Sequence, residues 1–250
     1  MAASRVLIFG IGGIGGALAR RLFARGIPIH IVARNREKLA ALSAELGGAP
    51  FTAIDVATAA PEALEGVVKD VAALGPLHGL VYAIGTIPLK PIRSTTATDF
   101  SEAFAVNFLG AALAIKAAAP ALSAGGVTRP GSVVLFSTVA AKVGFPHHAA
   151  IAAAKGAVEA YARAAAAELS PLLRVNVVAP SLSDTPLAAR FTANEATKKA
   201  MGEAHPLPRL GTADDSAAMA DFLIDHAQSG WITGQVFNVD GGRSTLRPKN

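Results

Sequence analysis

Seven short runs of aliphatic and β-branched residues alternate with longer helical runs along the whole chain, and this alternation constrains the fold more than any other feature. The candidate strands are Val6–Phe9, Ile29–Ala33, Phe51–Ile54, Leu80–Ala83, Ser132–Phe136, Val175–Val178 and Val236–Val239. Each is apolar at consecutive positions, the pattern of parallel strands covered on both faces. The helical runs between them are Ile14–Arg25, Arg36–Leu46, Pro61–Ala73, Thr98–Leu122, Ala149–Leu169 and Thr212–Gln228. Asn35 is placed to cap the second, and Thr212 with Asp215 forms a capping box for the last. Strand–helix alternation of this kind builds a parallel sheet with right-handed crossovers. The expected fold is α/β: a Rossmann-type, doubly wound, seven-stranded parallel sheet with helices on both faces. Its ligand crevice lies at the C-terminal strand ends.

No Pro/Gly/Ser-rich linker, repeat or low-complexity tract divides the 250 residues, 52% of them hydrophobic, so one domain over 1–250 is expected. The absence of cysteine excludes disulfides, thiolate zinc sites and cysteine nucleophiles. The six histidines show no metal-ligand spacing, and no metal is expected. The net charge of +5 is spread in small groups, at Arg20-Arg21, Lys198-Lys199 and Arg243 to Lys249, whereas nucleic acid would want a clustered patch. The N-terminus lacks a signal peptide's apolar stretch and cleavage site. The most apolar segment, Ala103 to Leu122, is broken by Asn107, Lys116 and Pro120. That suits a core or subunit-contact helix better than a membrane span. A soluble, cytoplasmic protein with no nucleic-acid or membrane partner is expected.

The first strand runs into Gly10-Ile11-Gly12-Gly13-Ile14-Gly15, and a helix follows. Gly10, Gly12 and Gly15 satisfy G-x-G-x-x-G. Such glycines permit a tight turn, let backbone approach a pyrophosphate, and let helix pack close to strand. The helix N-terminus adds N–H donors and partial positive charge. Arg34 stands nineteen residues after Gly15, where a carboxylate would favour NAD. An arginine there pairs with a 2′-phosphate, so NADP(H) is expected over NAD(H).

These and further segments resemble the short-chain dehydrogenase/reductase family over nearly the whole chain. Asp55-Val56 matches the family's adenine-ring position. Ala83-Ile84-Gly85 matches the end of its Asn-Asn-Ala-Gly strand, with both asparagines gone. Asn107 matches its helix asparagine, and Arg174 to Pro180 the strand before the substrate lid. Thr185 matches a threonine on the nicotinamide side, and Ile232-Thr233-Gly234-Gln235 through Val239-Asp240-Gly241-Gly242 its C-terminal signature. The glycine turn departs from the family's Thr-Gly-x-x-x-Gly-x-Gly: Phe9 replaces Thr, and one residue is missing after Gly10.

The resemblance implies an active site of Ser, Tyr and Lys with an Asn-held water. There, Tyr protonates the carbonyl oxygen as hydride arrives, while Lys lowers the Tyr pKa and holds the nicotinamide ribose. Lys155, followed by Gly156-Ala157-Val158, occupies the lysine position. Four residues earlier stands Ile151, which has no proton to give. Thirteen residues before that stands Thr138, which keeps the serine's hydroxyl. The tyrosines, Tyr82 and Tyr161, lie elsewhere.

A general acid is typically worth about 10² to 10⁴ in rate, so its loss separates three readings. His148, in the loop with His147 and at the spacing where the family's enoyl reductases place their Tyr, is a replacement donor in the first. In the second, the substrate is an activated alkene or iminium needing little acid catalysis. In the third, the chain binds NADP without turnover, as a sensor or an inactive subunit. The resemblance further implies pairing of Thr98–Leu122 and Ala149–Leu169 across a two-fold axis, giving a homodimer or homotetramer. Segment 185–207 forms a lid over a small-molecule substrate, with Phe191, Met201 and Leu207 as candidate lining. No arginine cluster marks a diacid or acyl-carrier substrate.

Overall fold

The structure, a computed structural model, describes residues 4–247. Lys249, the end of the basic tail group, lies outside them. The strands are β1 (Arg5–Phe9), β2 (Ile29–Ala33), β3 (Phe51–Ala53), β4 (Leu77–Tyr82), β5 (Gly131–Phe136), β6 (Leu173–Pro180), β7 (Ser183–Asp184), β8 (Gly211–Thr212) and β9 (Val236–Val239). The helices are α1 (Gly13–Ala24), α2 (Arg36–Glu45), α3 (Pro61–Ala73), α4 (Ala97–Phe104), α5 (Gly110–Leu122), α6 (Ala149–Leu169), α7 (Ala189–Thr192), α8 (Glu195–Glu203), α9 (Ala213–Ile224) and α10 (His226–Ser229).

Seven strands form one parallel sheet in the order β3-β2-β1-β4-β5-β6-β9. Consecutive apolar residues are explained by two cores. Leu7, Phe9, Leu80, Tyr82, Leu135 and Val175 face α3, α5 and α6. Their neighbours Val6, Ile8, Val81, Val134 and Val178 face α1, α2 and α9. The strand order reverses between β1 and β4, and the crevice opens there, above the C-terminal strand ends.

Local signals hold at the helix starts. Asn35 accepts from Lys38 N at 2.8 Å. Thr212 and Asp215 complete their reciprocal box, Asp215 N to Thr212 Oγ1 at 3.1 Å and Thr212 N to Asp215 Oδ2 at 2.7 Å.

Two expected helices are broken. The run Thr98–Leu122 divides into α4, a π turn over Ala105–Leu109, and α5. The cause lies in side chains that claim its carbonyls: Asn107 Nδ2 donates to Ala103 O at 2.9 Å, and Tyr82 Oη to Val106 O at 2.9 Å. The ladder widens where they intrude. The helical run 97–125 is long and apolar enough to cross a membrane, and its α5 part turns Ala111, Ala114, Ile115, Ala118 and Leu122 into the core. The last helix stops at Asp225, whose extended backbone starts α10 and whose carboxylate accepts from Ala227 N.

Candidate active site

The crevice begins at the glycine turn. Gly10 has φ +93°, and a Cβ on it would lie 2.8 Å from the Ala83 carbonyl carbon. A Cβ on Gly15 would lie 1.9 Å from Gly10 O. These two positions exclude every other residue. Gly12 precedes α1 and offers no side-chain cap, so the first-turn N–H groups face the crevice free to bind an anion. Gly13 is pressed by Thr185, since its missing Cβ would sit 2.7 Å from Thr185 Cγ2. The cradle therefore fits a dinucleotide's phosphates. Ile14, Ala83, Ile84, Gly85, Pro180 and Thr185 line the cavity that continues from it.

At the adenosine end, Arg34 follows β2, exposed and without an ion-pair partner among the described residues. The Asp55 carboxylate accepts from Ala57 N. The Val56 side chain is turned into the core beside Gly110, leaving only its backbone for a nucleotide.

The cavity, about 380 Å3, is walled chiefly by hydrocarbon. Lys155 lines it from the second turn of α6, 7% exposed, its Nζ donating to Phe136 O at 2.8 Å. Burial away from any carboxylate pushes the amine down to about 8. Gly85 leaves room for it: a Cβ there would meet Nζ at 3.5 Å and Asn107 Oδ1 at 3.0 Å. One turn before Lys155, Ile151 offers the cavity only methyl and methylene groups. Thr138, just past β5, lines it too, its oxygen accepting from Ala140 N at 3.3 Å while its proton stays available. Tyr82 and Tyr161 give their hydroxyls to Val106 O and Ala112 O and do not line the cavity.

Other expected residues fall in, behind and beside the wall. Asn107 stands behind the cavity wall: its amide holds Thr86 through Oγ1 at 2.9 Å and N at 3.1 Å, and its Oδ1 flanks Gly85 together with Lys155 Nζ. Of the two loop histidines, only His148 reaches the cavity. It stacks against Phe145 with ring centroids 5.5 Å apart, its Nδ1 2.7 Å from Pro146 O. His147 has φ +67° and is exposed. Phe191 and Met201 line the cavity as expected, whereas Leu207 lines a neighbouring one with Met219 and Phe222.

Three cavity residues carry no sequence motif. Ser181 Oγ lies 2.8 Å from His205 Nε2, and His205 Nδ1 lies 2.9 Å from Met201 O. The carbonyl can only accept, so Nδ1 carries the proton and Nε2 accepts from the Ser181 hydroxyl. His205 is 6% exposed and forms part of the wall between the two cavities. The third residue is Arg243, from the segment after β9. All three come from chain segments that meet only on folding.

Comparisons with known proteins agree with this geometry. A family model described as Enoyl-(Acyl carrier protein) reductase matches residues 10–244. A relative from Xanthobacter autotrophicus, named Inactive 2-(S)-hydroxypropyl-CoM dehydrogenase 2, is 34% identical over 92% of this chain and 100% of its own. A short-chain type dehydrogenase/reductase structure from Mycobacterium ulcerans superposes with a TM-score of 0.88 at 33% identity, covering 99% of this chain and 92% of that one. ElxO, solved with NADP bound, gives 0.88 at 27% identity over 98% and 100%. By its strand order, its glycine turn and these matches, the chain belongs to the short-chain dehydrogenase/reductase family.

Proposed function

We propose that the protein is an NADP(H)-dependent oxidoreductase acting on a carbonyl, enone or imine. The observation that carries this is Lys155: a buried amine with no acidic partner, opening onto the cavity that continues from the phosphate cradle. The cofactor supplies a hydride when bound. Gly10, Gly12, Gly13 and Gly15 seat its phosphates, Lys155 holds its ribose, and Arg34 meets the 2′-phosphate. The NADP in the ElxO structure supports this cofactor choice. Thr138 donates its hydroxyl proton toward the substrate oxygen, and the hydrocarbon wall excludes water.

The family's Tyr is replaced by Ile151, so the proton comes from another group. Ser181 with His205 is the best-placed pair: the buried His205 carries a second proton on Nε2 and passes it to the Ser181 oxygen as the Ser181 hydroxyl gives its own to the substrate; His148 is the other imidazole in the wall. One observation favours a second reading, an NADP-binding protein without turnover: Ile151 puts hydrocarbon in place of an acid, and a relative carries the name inactive. The protein acts in the cytoplasm as a homodimer or homotetramer built on α4–α5 and α6.

Turnover of NADPH across a panel of carbonyls, enones and imines tests the enzyme reading. Oxidation of NADPH with one class supports it; a blank panel beside tight NADPH binding moves the assignment to the binder. Binding of NADH as tight as NADPH removes Arg34 from cofactor choice.

A further inference from the structure

The cavity beside Lys155 contains a second cation that hydride transfer does not require. Arg243 reaches it from the turn after β9. Its backbone N donates to Asp240 O at 3.0 Å, which fixes the turn. One guanidinium Nη donates to Ala204 O, and the group lies over the Phe145 ring, 5.8 Å from its centroid. Nε and the other Nη have no partner among the described residues. The nearest acid in sequence, Asp240, is occupied by Gly242 N at 2.9 Å, by Ser244 N at 2.8 Å and by the Ser244 hydroxyl. No aspartate or glutamate lines the cavity. The Lys155 amine likewise has only a carbonyl as its partner.

An apolar cavity with cations and no anion is electrostatically incomplete. A guanidinium keeps its charge at every physiological pH, and its free edge matches a carboxylate with two parallel hydrogen bonds. Hydrocarbon walls raise the strength of that pairing. A single guanidinium accommodates one such headgroup.

We propose that the substrate is a monoanion: a hydrocarbon or aromatic body carrying a carboxylate that pairs with Arg243, with its reducible carbonyl toward Thr138 and Lys155. This rests on the cavity being the substrate pocket of the proposed reductase.

Calorimetric titration with octanoate, octanol and octylamine, in the presence and absence of NADPH, tests it. Octanoate is expected to bind at least tenfold tighter than octanol, and octylamine to give no saturable heat. Arg243→Met removes the preference for octanoate while octanol and NADPH affinities stay as they were. Arg243→Gln, which keeps a donor for Ala204 O, behaves likewise if the charge matters rather than the loop's integrity. Arg243→Lys retains part of the preference. Octanoate binding no tighter than octanol, no octanoate binding, or full preference in Arg243→Met and Arg243→Gln overturns the proposal. Absent NADPH binding breaks the reductase reading by itself, because the octanoate–octanol comparison is also made without cofactor.

Discussion

The two halves of the crevice are built from different material. The nucleotide half is backbone: a turn in which Gly10 and Gly15 have no room for a Cβ, followed by unclaimed N–H groups at the start of α1. The substrate half is made of side chains delivered by separate segments: Thr138 past β5, Lys155 on α6, Ser181 after β6, His205 after α8 and Arg243 after β9. A backbone site tolerates almost no substitution at its key positions. A site of side chains changes its chemistry one residue at a time.

Gly15→Ala should have the largest effect. Its methyl would fall 1.9 Å from Gly10 O, so NADPH affinity is expected to drop by about 100-fold or more, with a loss of stability of about 2 kcal/mol or more. Calorimetry and thermal melting measure both. A variant that binds NADPH normally would break the contrast between the halves.

On the substrate side, His205→Asn is expected to lower turnover by about 100-fold, within the range for a general acid, and to leave NADPH affinity within twofold. His148→Asn should cost less. A larger loss of steady-state rate in His148→Asn than in His205→Asn would reverse the ranking of the two imidazoles, and equal losses would abolish it.

Lys155 stands at the join, and its test is pH. Burial lowers the amine to about 8, so the ammonium proposed to hold the ribose is present below that pH and lost above it. NADPH affinity should therefore be flat at neutral pH and fall as pH rises through about 8. Lys155→Met should bind about tenfold more weakly, with no such fall. In the free protein the sign reverses. The buried ammonium is a cost below about 8, and stability rises with pH from there toward the ordinary lysine range. Calorimetry and melting between pH 6.5 and 9.5 check both directions.

The smallest expected effect lies outside both halves. Thr212→Ala removes the cap on α9 and should cost about 1 kcal/mol in denaturant unfolding, without changing NADPH affinity. A change in affinity would show that the halves are coupled through the rear helices.

Legibility follows the same division. The strands, the glycine turn and the caps of α2 and α9 rest on residues adjacent in sequence, so pattern and spacing were enough to find them. The π turn was hidden because one of its causes, Tyr82, lies on β4. β7 and β8, each two residues long, are too short to carry a periodicity. His148 drew attention because it lies near Lys155 in the chain. His205 stands fifty residues beyond Lys155, and only the meeting of the β6 and α8 ends brings it to Ser181. Arg243 looked like part of a solvated basic tail until the fold placed it in a hydrocarbon wall.

The division of each strand between two oily layers has a consequence for strand alignment. Should β1 slide by one position, Ile8 and Phe9 would exchange layers, and each would still find hydrocarbon. The interior would register the exchange as misfit, because Ile8 and Phe9 differ in volume and shape and both are fully buried in a close-packed core. Gly10 would lose its seat against Ala83. Side-chain packing and the seat of the glycine turn therefore hold this strand in the same frame, and an error in one is an error in both.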